Sequence, residues 1–347
     1  MSAKRQSNIE LLRLISIFAL LFLHFYVHSL RNAEVYAVQS GFWKDFPLIL
    51  TSFTSLQVNI FVLISGWFGI HTTPKKIFNF ALMCVFYGVF TYCLSLGIGN
   101  TFSMKDLAMS IMPFSFSNWW FANAYFFLML LAPLFNKAIE YMSKREFVWV
   151  LCALTLINSY YGFACHQEIN RLGDTFMQVM FAYFIGRYLA LHVHVNNDKL
   201  RKWSAIFTIV SVGLYAFVWI LNDNCLHIVN SFTFLLRNNP WSMLNSIAIF
   251  LFFTTLQFEN KSINWLAKGV FSVYLVHESV WITEYWHQGL ITIYDTNTPG
   301  LAWLIVTGLF CVYFVAVLCF DHLRTCITEP ITKRMETYIS KWTSHNS

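Results

Sequence analysis

Residues 8–30 read NIELLRLISIFALLFLHFYVHSL, an apolar run that is interrupted by a glutamate, an arginine and two histidines. The run is long enough to cross the hydrocarbon core of a bilayer, which takes ~20 residues of helix. It predicts a transmembrane helix, because a helix satisfies its own backbone hydrogen bonds where no water is available. Ionisable side chains inside such a helix are costly to bury and are therefore candidates for function.

The rest of the chain has the same apolar character. Of its 347 residues, 57% are hydrophobic and 12% are charged, whereas soluble domains carry about 25% charged residues. Barrel strands are shorter and alternate in polarity, so these runs predict an all-α integral membrane protein. We expect residues 1–347 to form one membrane domain without a separate soluble domain. Ten runs are predicted to span the membrane: residues 8–30, 46–69, 77–98, 118–136, 146–163, 173–191, 203–221, 241–257, 269–286 and 300–320.

The basic residues are distributed unevenly over the predicted loops. With ten spans and the N-terminus inside, most of the 23 Lys and Arg residues fall on the cytoplasmic side, among them Lys4, Lys75, Lys76 and Arg324. The positive-inside rule therefore predicts that both termini are cytoplasmic. This asymmetry explains the net charge of +6. Nucleic acid is not an expected partner, because no basic tract contains interleaved aromatic residues.

Metal and redox chemistry find little support in the sequence. The 8 cysteines form no C-x-x-C pair and are expected to be packing residues, although Cys165 and Cys225 both fall in predicted outer loops, where a disulfide can form. His24 and His28 are four residues apart, but they lack the glutamate of H-E-x-x-H and a further set of ligands. We expect no metal site, and no nucleotide loop of the Walker type is present.

The first predicted helix carries its polar groups on one face. Arg13 and His24 are eleven residues apart, so they return to the same face of an α-helix about three turns, or ~16 Å, apart. Glu10 lies three residues before Arg13 and can pair with it. This arrangement places Arg13 near the cytoplasmic boundary and His24 in the middle or outer half of the bilayer. The alternative is an arginine that snorkels to the headgroups and a histidine that packs against a neighbouring helix.

Three other segments carry polar or small residues inside apolar runs. They are residues 61–68 (FVLISGWF), residues 118–125 (NWWFANAY) and residues 274–278 (YLVHE). The Ser65-Gly66 pair in the first segment can permit a close helix approach or a bend. The third segment places a histidine and a carboxylate near the middle of the membrane. Each segment alone is also explained by packing or by the membrane interface.

Taken together, these segments resemble the acyltransferase 3 family, the bacterial multi-span membrane enzymes that O-acylate surface glycans and other exported molecules. The resemblance covers essentially the whole chain. It rests on R-x10-H at Arg13 and His24, on S-G-aromatic at residues 65–67, on W-F-x-x-x-Y at residues 120–125 and on Y-L-x-H at residues 274–277. Lys75 and Lys76 stand where many members have two arginines.

The resemblance implies an acyl-CoA donor, usually acetyl-CoA, on the cytoplasmic side of a bacterial inner membrane. It implies an outer acceptor hydroxyl on a surface polysaccharide of the cell envelope or on a lipid-linked oligosaccharide. We hypothesise that His24 is the general base and that Arg13, supported by Glu10, neutralises donor phosphate or polarises the thioester. The residues assigned to donor binding with Arg13 are Lys75, Lys76 and Arg324, and those assigned to substrate binding are Ser65, Trp120, Tyr125, His277 and Glu278.

Two other functional classes remain open from the residues alone. A transporter or flippase for a polar or lipid-linked metabolite would use the same ionisable groups as a pathway, but it predicts inverted helix repeats, which the sequence does not show. A non-catalytic membrane partner or sensor would use His24 as a pH-responsive group. That interpretation leaves Arg13 without a role.

Overall fold

The computed structural model describes residues 5–116, 118–195 and 197–345, so Lys4 lies outside the described residues. These residues form helices and no strand, which confirms the all-α prediction. The helices are α1 Ser7–His24, α2 Glu34–Ala37, α3 Phe42–Thr54, α4 Gln57–Phe68, α5 Pro74–Gly97, α6 Met104–Ile111, α7 Trp120–Tyr141, α8 Lys144–Thr155, α9 Phe176–His192, α10 Asp198–Leu221, α11 Pro240–Thr254, α12 Lys261–Leu266, α13 Val270–His277, α14 Thr283–Thr296 and α15 Pro299–His345.

Among the described residues, 7 helical stretches are long and apolar enough to cross a membrane. The protein is therefore a multi-pass membrane protein. The predicted runs 173–191, 241–257 and 269–286 contain shorter helices, namely α9 with 17 residues, α11 with 15 and α13 with 8. A count of ten spans and cytoplasmic termini remain predictions. The 7 stretches are Ser7–Asn32, Phe42–Phe68, Pro74–Gly97, Trp120–Tyr141, Lys144–Ala164, Asp198–Leu226 and Pro299–Met335.

The predicted run 269–286 is not one helix. Helix α13 ends at His277, the backbone of Glu278 leaves helical geometry (φ −96°, ψ 13°), and α14 begins only at Thr283. The buried hydroxyl of Ser279, the next residue, lies 2.7 Å from the Thr91 hydroxyl on α5 and fixes the turn. The prediction was wrong here because the break falls among residues that are still mostly apolar. Because of this break, Glu278 lies at the C-terminal end of α13.

Helix α1 occupies the centre of the molecule. It contacts α3, α4, α11, α12 and α13, and residues along its whole length are fully buried, including Ile9 and Leu21. After His24 the chain continues in a wide π-type turn, Phe25–Ser29, and then in a 3-10 turn, Leu30–Asn32. π-Turns of this kind occur mostly as single-turn bulges in α-helices and are frequent at functional sites. In this one the ring centroids of His24 and His28 are 5.3 Å apart.

Two glycines allow α4 and α9 to approach each other closely. A Cβ atom added to Gly66 would lie 2.3 Å from the carbonyl oxygen of Tyr183, and one added to Gly186 would lie 2.4 Å from that of Leu63. Real Cβ atoms do not come this close, so both positions require glycine. The expectation that Ser65-Gly66 permits a close helix approach is confirmed.

The predicted outer-loop cysteines do not pair in the structure. Cys165 follows the π-type turn Leu156–Ala164, and Cys225 lies in the π-type turn Asn222–Leu226 that extends α10. Both are exposed free thiols. The disulfide that their predicted location allowed is not formed in the structure.

Candidate active site

A buried cluster of three side chains forms where α1 and α13 meet. His24 Nδ1 lies 2.8 Å from His277 Nε2 and 2.8 Å from the carboxylate Oε1 of Glu278. His24 is 6% exposed and His277 is 1% exposed. The end of α13 at His277 turns the Glu278 carboxylate towards α1. His24 is therefore in direct contact with the consecutive pair His277 and Glu278, 253 residues further along the chain, and we call these three predicted site residues the histidine cluster.

The neighbours of the histidine cluster determine which nitrogen of His24 carries the proton. His277 Nδ1 lies 2.6 Å from the carbonyl oxygen of Val273, which can only accept, so this nitrogen carries the proton of a neutral ring. His277 Nε2 is then an acceptor. Nδ1 of His24 is therefore the donor to His277 Nε2. The Glu278 oxygen 2.8 Å from Nδ1 is close enough for an ion pair but forms no hydrogen bond among the described residues. Nε2 of His24 retains a free lone pair and has no hydrogen-bond partner among the described residues.

The histidine cluster also offers a donor set for a metal ion. One atom each from His24, His277 and Glu278 lies within 4.8 Å of the other two, and two imidazoles with a carboxylate can bind Zn²⁺. His24 Nδ1 is the atom that such an ion would use. In the hydrogen-bonding pattern of the cluster this nitrogen carries a proton, which a ligand must lose. The expectation of no metal remains a prediction.

His24 forms part of the wall of a narrow cavity of about 400 Å³, which we call the histidine cavity. The wall is otherwise mainly apolar and contains Trp120, a predicted site residue. His277 does not line it but supports the His24 ring from behind. The lining residues are Ile17, Leu20, His24, Val58, Phe61, Trp120, Phe121, Arg237, Phe271 and Tyr274. Arg237 belongs to none of the sequence motifs quoted above.

A larger cavity of about 1730 Å³, the basic cavity, collects the other predicted site residues. All four cations assigned to donor binding line it: Arg13, Lys75, Lys76 and Arg324. Ser65 and Tyr125 also line it, and their hydroxyl oxygens are 3.2 Å apart. Two further cations on its wall, Arg5 and Lys268, were not predicted as site residues. The arrangement is suited to bind a ligand with several phosphates.

Two ion pairs hold cations in place on the wall of the basic cavity. The buried Glu10 carboxylate lies 3.5 Å from a guanidinium nitrogen of Arg13 and 3.5 Å from one of Arg5, so the predicted pairing of Glu10 with Arg13 is confirmed. Arg324 donates two hydrogen bonds to Asp321, at 2.9 and 3.1 Å. The only sequence signal for Asp321 was an acidic residue three positions before an arginine.

The two cavities lie in series. An intermediate cavity of about 710 Å³ shares Arg13 and Ser65 with the basic cavity, and shares Phe61, Phe121 and Phe271 with the histidine cavity. We call these three rings the aromatic neck. Arg13 and His24 therefore face different cavities, although they lie on one face of α1. The polar stripe predicted on that helix connects the cavities at the two sides of the neck.

The histidine cluster continues towards the surface beyond the neck. Glu278 Oε2 lies 3.8 Å from Nε2 of His28, whose side chain is 45% exposed. The ring of His287 on α14, outside the membrane-spanning stretches, is 5.3 Å from that of His28, and its Nδ1 lies 2.7 Å from the Ser29 hydroxyl. Burial lowers the pKa of His287 to about 4, although Glu278 acts in the opposite direction. This imidazole is therefore neutral at physiological pH.

A comparison with known protein families finds one match, to a family model described as an acyltransferase domain. The match spans residues 6–321 and so includes the histidine cluster, the histidine cavity, the aromatic neck and most of the lining of the basic cavity. The residues of that lining outside the match are Arg5, Arg324, Thr325, Thr328, Glu329 and Thr332. No curated protein and no solved structure matches the chain.

Proposed function

The chain belongs to the acyltransferase 3 family, and from that premise we propose that it transfers an acetyl group from acetyl-CoA to a hydroxyl group. The proposed acceptor is a surface polysaccharide or a lipid-linked glycan. We place the protein in a bacterial inner membrane with ten spans and both termini cytoplasmic. The observation that supports the proposal is a histidine with a free lone pair in an apolar cavity that is connected through a narrow neck to a basic one.

The basic cavity is the proposed donor site. Coenzyme A carries several phosphate charges, and Arg13, Lys75, Lys76 and Arg324 can each form charge-assisted hydrogen bonds to phosphate oxygens. The ion pair of Arg13 with Glu10 positions its guanidinium. The uncharged arm of the donor then extends through the aromatic neck and delivers the thioester to His24. This division of the donor explains why one cavity is cationic and the other apolar.

His24 is the proposed general base of the transfer. Its Nε2 accepts the proton of the acceptor hydroxyl while the hydroxyl oxygen forms a bond to the acyl carbon. The tetrahedral adduct then collapses, the bond from carbon to sulfur breaks, and the leaving thiolate takes the proton back from His24. The imidazolium formed in between is stabilised by the Glu278 carboxylate, 2.8 Å from Nδ1.

The acceptor is proposed to enter from the side of His28. Glu278 connects the buried His24 to this half-exposed imidazole. A sugar hydroxyl is a small polar group, and it has to reach Nε2 of His24 without opening the aromatic neck. Entry from the His28 side meets that requirement, because donor and acceptor then approach His24 from opposite directions.

The experiment that tests this proposal uses the full chain, purified and reconstituted in lipid nanodiscs. Radiolabelled acetyl-CoA is added with an isolated surface glycan, and base-labile label on the glycan is measured. We expect transfer by the wild type and a loss of roughly 10²–10⁴-fold in His24→Ala and His24→Gln, as for other general bases. His194→Ala is the matched control, since that histidine is exposed and lines neither cavity.

Two outcomes would contradict the proposal. Full transfer by a folded His24→Ala protein would remove the general base. Absence of labelled ester with every glycan offered, together with movement of an unmodified lipid-linked glycan across the bilayer, would instead identify a flippase.

A further inference from the structure

We propose that Arg237 is a catalytic residue that stabilises the negative charge developing on the acyl carbonyl oxygen during transfer. This inference rests on the proposed acetyl transfer and adds a residue to it. Arg237 lies in the segment between α10 and α11 and is part of the wall of the histidine cavity. Arg13, the arginine on α1, lines the intermediate and basic cavities and not this one. Among the described residues that line the histidine cavity, Arg237 supplies the guanidinium.

Two contacts hold the Arg237 side chain at this position. Its guanidinium carbon lies 4.9 Å from the centroid of the Trp120 ring, which also lines the histidine cavity. One terminal nitrogen, Nη1, forms an ion pair with Asp174, and the side chain is 18% exposed. A guanidinium that is stacked and paired in this way has a fixed orientation. It can therefore act as a preorganised donor rather than as a mobile surface charge.

The positive charge of Arg237 is balanced by its ion pair with Asp174, but one of its N–H groups has no hydrogen-bond acceptor among the described residues. Asp174 compensates the positive charge, so the side chain is not suited to attract an anionic sugar by net charge. Its Nε is buried and has no hydrogen-bond partner among the described residues. A buried N–H without an acceptor is costly, and a substrate carbonyl in the histidine cavity would provide that acceptor. This combination favours stabilisation of an oxyanion over recognition of an acidic acceptor.

The backbone holds the segment in place independently of the side chain. The carbonyl oxygen of Arg237 accepts hydrogen bonds from Asn59 Nδ2 at 3.0 Å and from Gln178 Nε2 at 2.9 Å, and Gln178 is also bonded to the Asn59 side chain at 2.9 Å. Asn59 on α4 and Gln178 on α9 are both buried. Replacement of the Arg237 side chain therefore leaves the anchor of the segment intact.

Arg237 acts while the acceptor oxygen adds to the thioester. The acceptor oxygen bonds to the thioester carbon, His24 takes its proton, and the electron pair of the carbonyl moves to its oxygen, where the Nε–H of Arg237 donates a hydrogen bond. The oxyanion then re-forms the carbonyl, the bond from carbon to sulfur breaks, and the thiolate of CoA receives the proton from His24. Arg237 donates a hydrogen bond throughout and transfers no proton.

The test compares Arg237→Gln and Arg237→Lys with the wild type in nanodiscs. Removal of an oxyanion donor costs roughly 10²–10³ in kcat, so we expect a kcat loss of that size in Arg237→Gln with KM for acetyl-CoA and for the glycan changed less than threefold. Arg237→Lys keeps a cation and is expected to fall in between. Arg171→Gln is the matched control, because Arg171 is an exposed arginine paired with Glu168.

A spectroscopic measurement separates catalysis from a merely structural role. A ¹³C-carbonyl ketone analogue of acetyl-CoA, with a methylene group in place of sulfur, binds but does not react, and its infrared carbonyl stretch reports the hydrogen bond. We expect a higher stretching frequency in Arg237→Gln than in the wild type and no change in Arg171→Gln.

The inference is overturned if Arg237→Gln keeps the wild-type kcat, if only KM for the glycan rises, or if the carbonyl frequency does not move. If Arg237→Gln does not fold, the same criteria apply to Arg237→Lys, for which full activity and an unchanged carbonyl frequency refute the role. A wild type that transfers no acetyl group refutes the proposed function itself. An active wild type with an inactive His24→Ala and a fully active Arg237→Gln refutes only the role of Arg237.

Discussion

The contact between His24 and Glu278 leads to a quantitative prediction for Glu278→Gln. The substitution keeps the shape of the side chain and removes its charge, which lies 2.8 Å from the nitrogen that becomes positive during transfer. Coulomb's law with the charge centres about 4 Å apart and an effective dielectric constant of roughly 20 gives about 4 kcal/mol. The carboxylate is 19% exposed, and solvent screening therefore reduces this energy to about 2–3 kcal/mol. We expect a loss of roughly 10²-fold in kcat, since 1.36 kcal/mol corresponds to a factor of ten.

The hydrogen-bonding properties of glutamine act in the same direction. Its amide group can donate to Nδ1 of His24, which would move the ring proton to Nε2 and remove the free lone pair. KM for acetyl-CoA is expected to remain within twofold, because the cations proposed to bind the donor line the other cavity. Initial rates of acetyl transfer at several donor and acceptor concentrations measure both quantities.

Glu284→Gln is the control, since Glu284 is an exposed glutamate on α14 bonded to Gln288. A Glu278→Gln protein with a kcat within threefold of the wild type would refute the electrostatic role. A change confined to KM for the glycan would assign Glu278 to acceptor binding, which was its role in the hypothesis drawn from the sequence.

Two further predictions concern the helix packing and the donor site. Gly66→Ala places a methyl group against a carbonyl oxygen of α9, so we expect it to destabilise the protein by about 1–3 kcal/mol, measured as a lower Tm. The control is Gly213→Ala, which should leave Tm unchanged because the added atom meets nothing within 4 Å. Equal Tm values for the two variants would contradict the close approach of α4 and α9. The double variant Lys75→Ala/Lys76→Ala should raise KM for acetyl-CoA about tenfold, equivalent to about 1.4 kcal/mol, with little change in kcat. Lys199→Ala is the control, because Lys199 is exposed and does not line the basic cavity. An unchanged KM in the double variant would exclude both lysines from the donor site.

The sequence predicts the long helices well because hydrophobic length alone specifies them. Helices α1, α5 and α7 follow long, predominantly apolar runs, and even Pro133 leaves α7 continuous from Trp120 to Tyr141. The break after His277 was missed because it lies within a segment that is mostly apolar, and the hydroxyl of Ser279 in the turn contacts the Thr91 hydroxyl on α5. A hydrophobicity pattern predicts which segments lie in the membrane, but it does not predict where a helix ends inside such a segment.

The histidine cluster shows the same limit for the site. His24 and Glu278 were identified separately as ionisable groups in apolar segments, since burial of such groups is costly. Their contact depends on the packing of α1 against α13, which no local pattern encodes. Arg237 could not be distinguished from Arg171 or from other cations in predicted outer loops, because only the folded chain brings one of them to His24. Sequence reasoning thus finds residues that are costly to bury and misses those that the fold carries into a cavity.

The aromatic neck also has a consequence for a membrane that carries a voltage, because it separates the two cavities. Phe61, Phe121 and Phe271 separate a cavity lined by cations from one that contains a titratable imidazole. In the proposed orientation these rings are the insulating part of the path between cytoplasm and exterior, so most of the membrane voltage falls across them. The proposed transfer would then carry acetyl groups across the membrane without opening a path for ions past these rings.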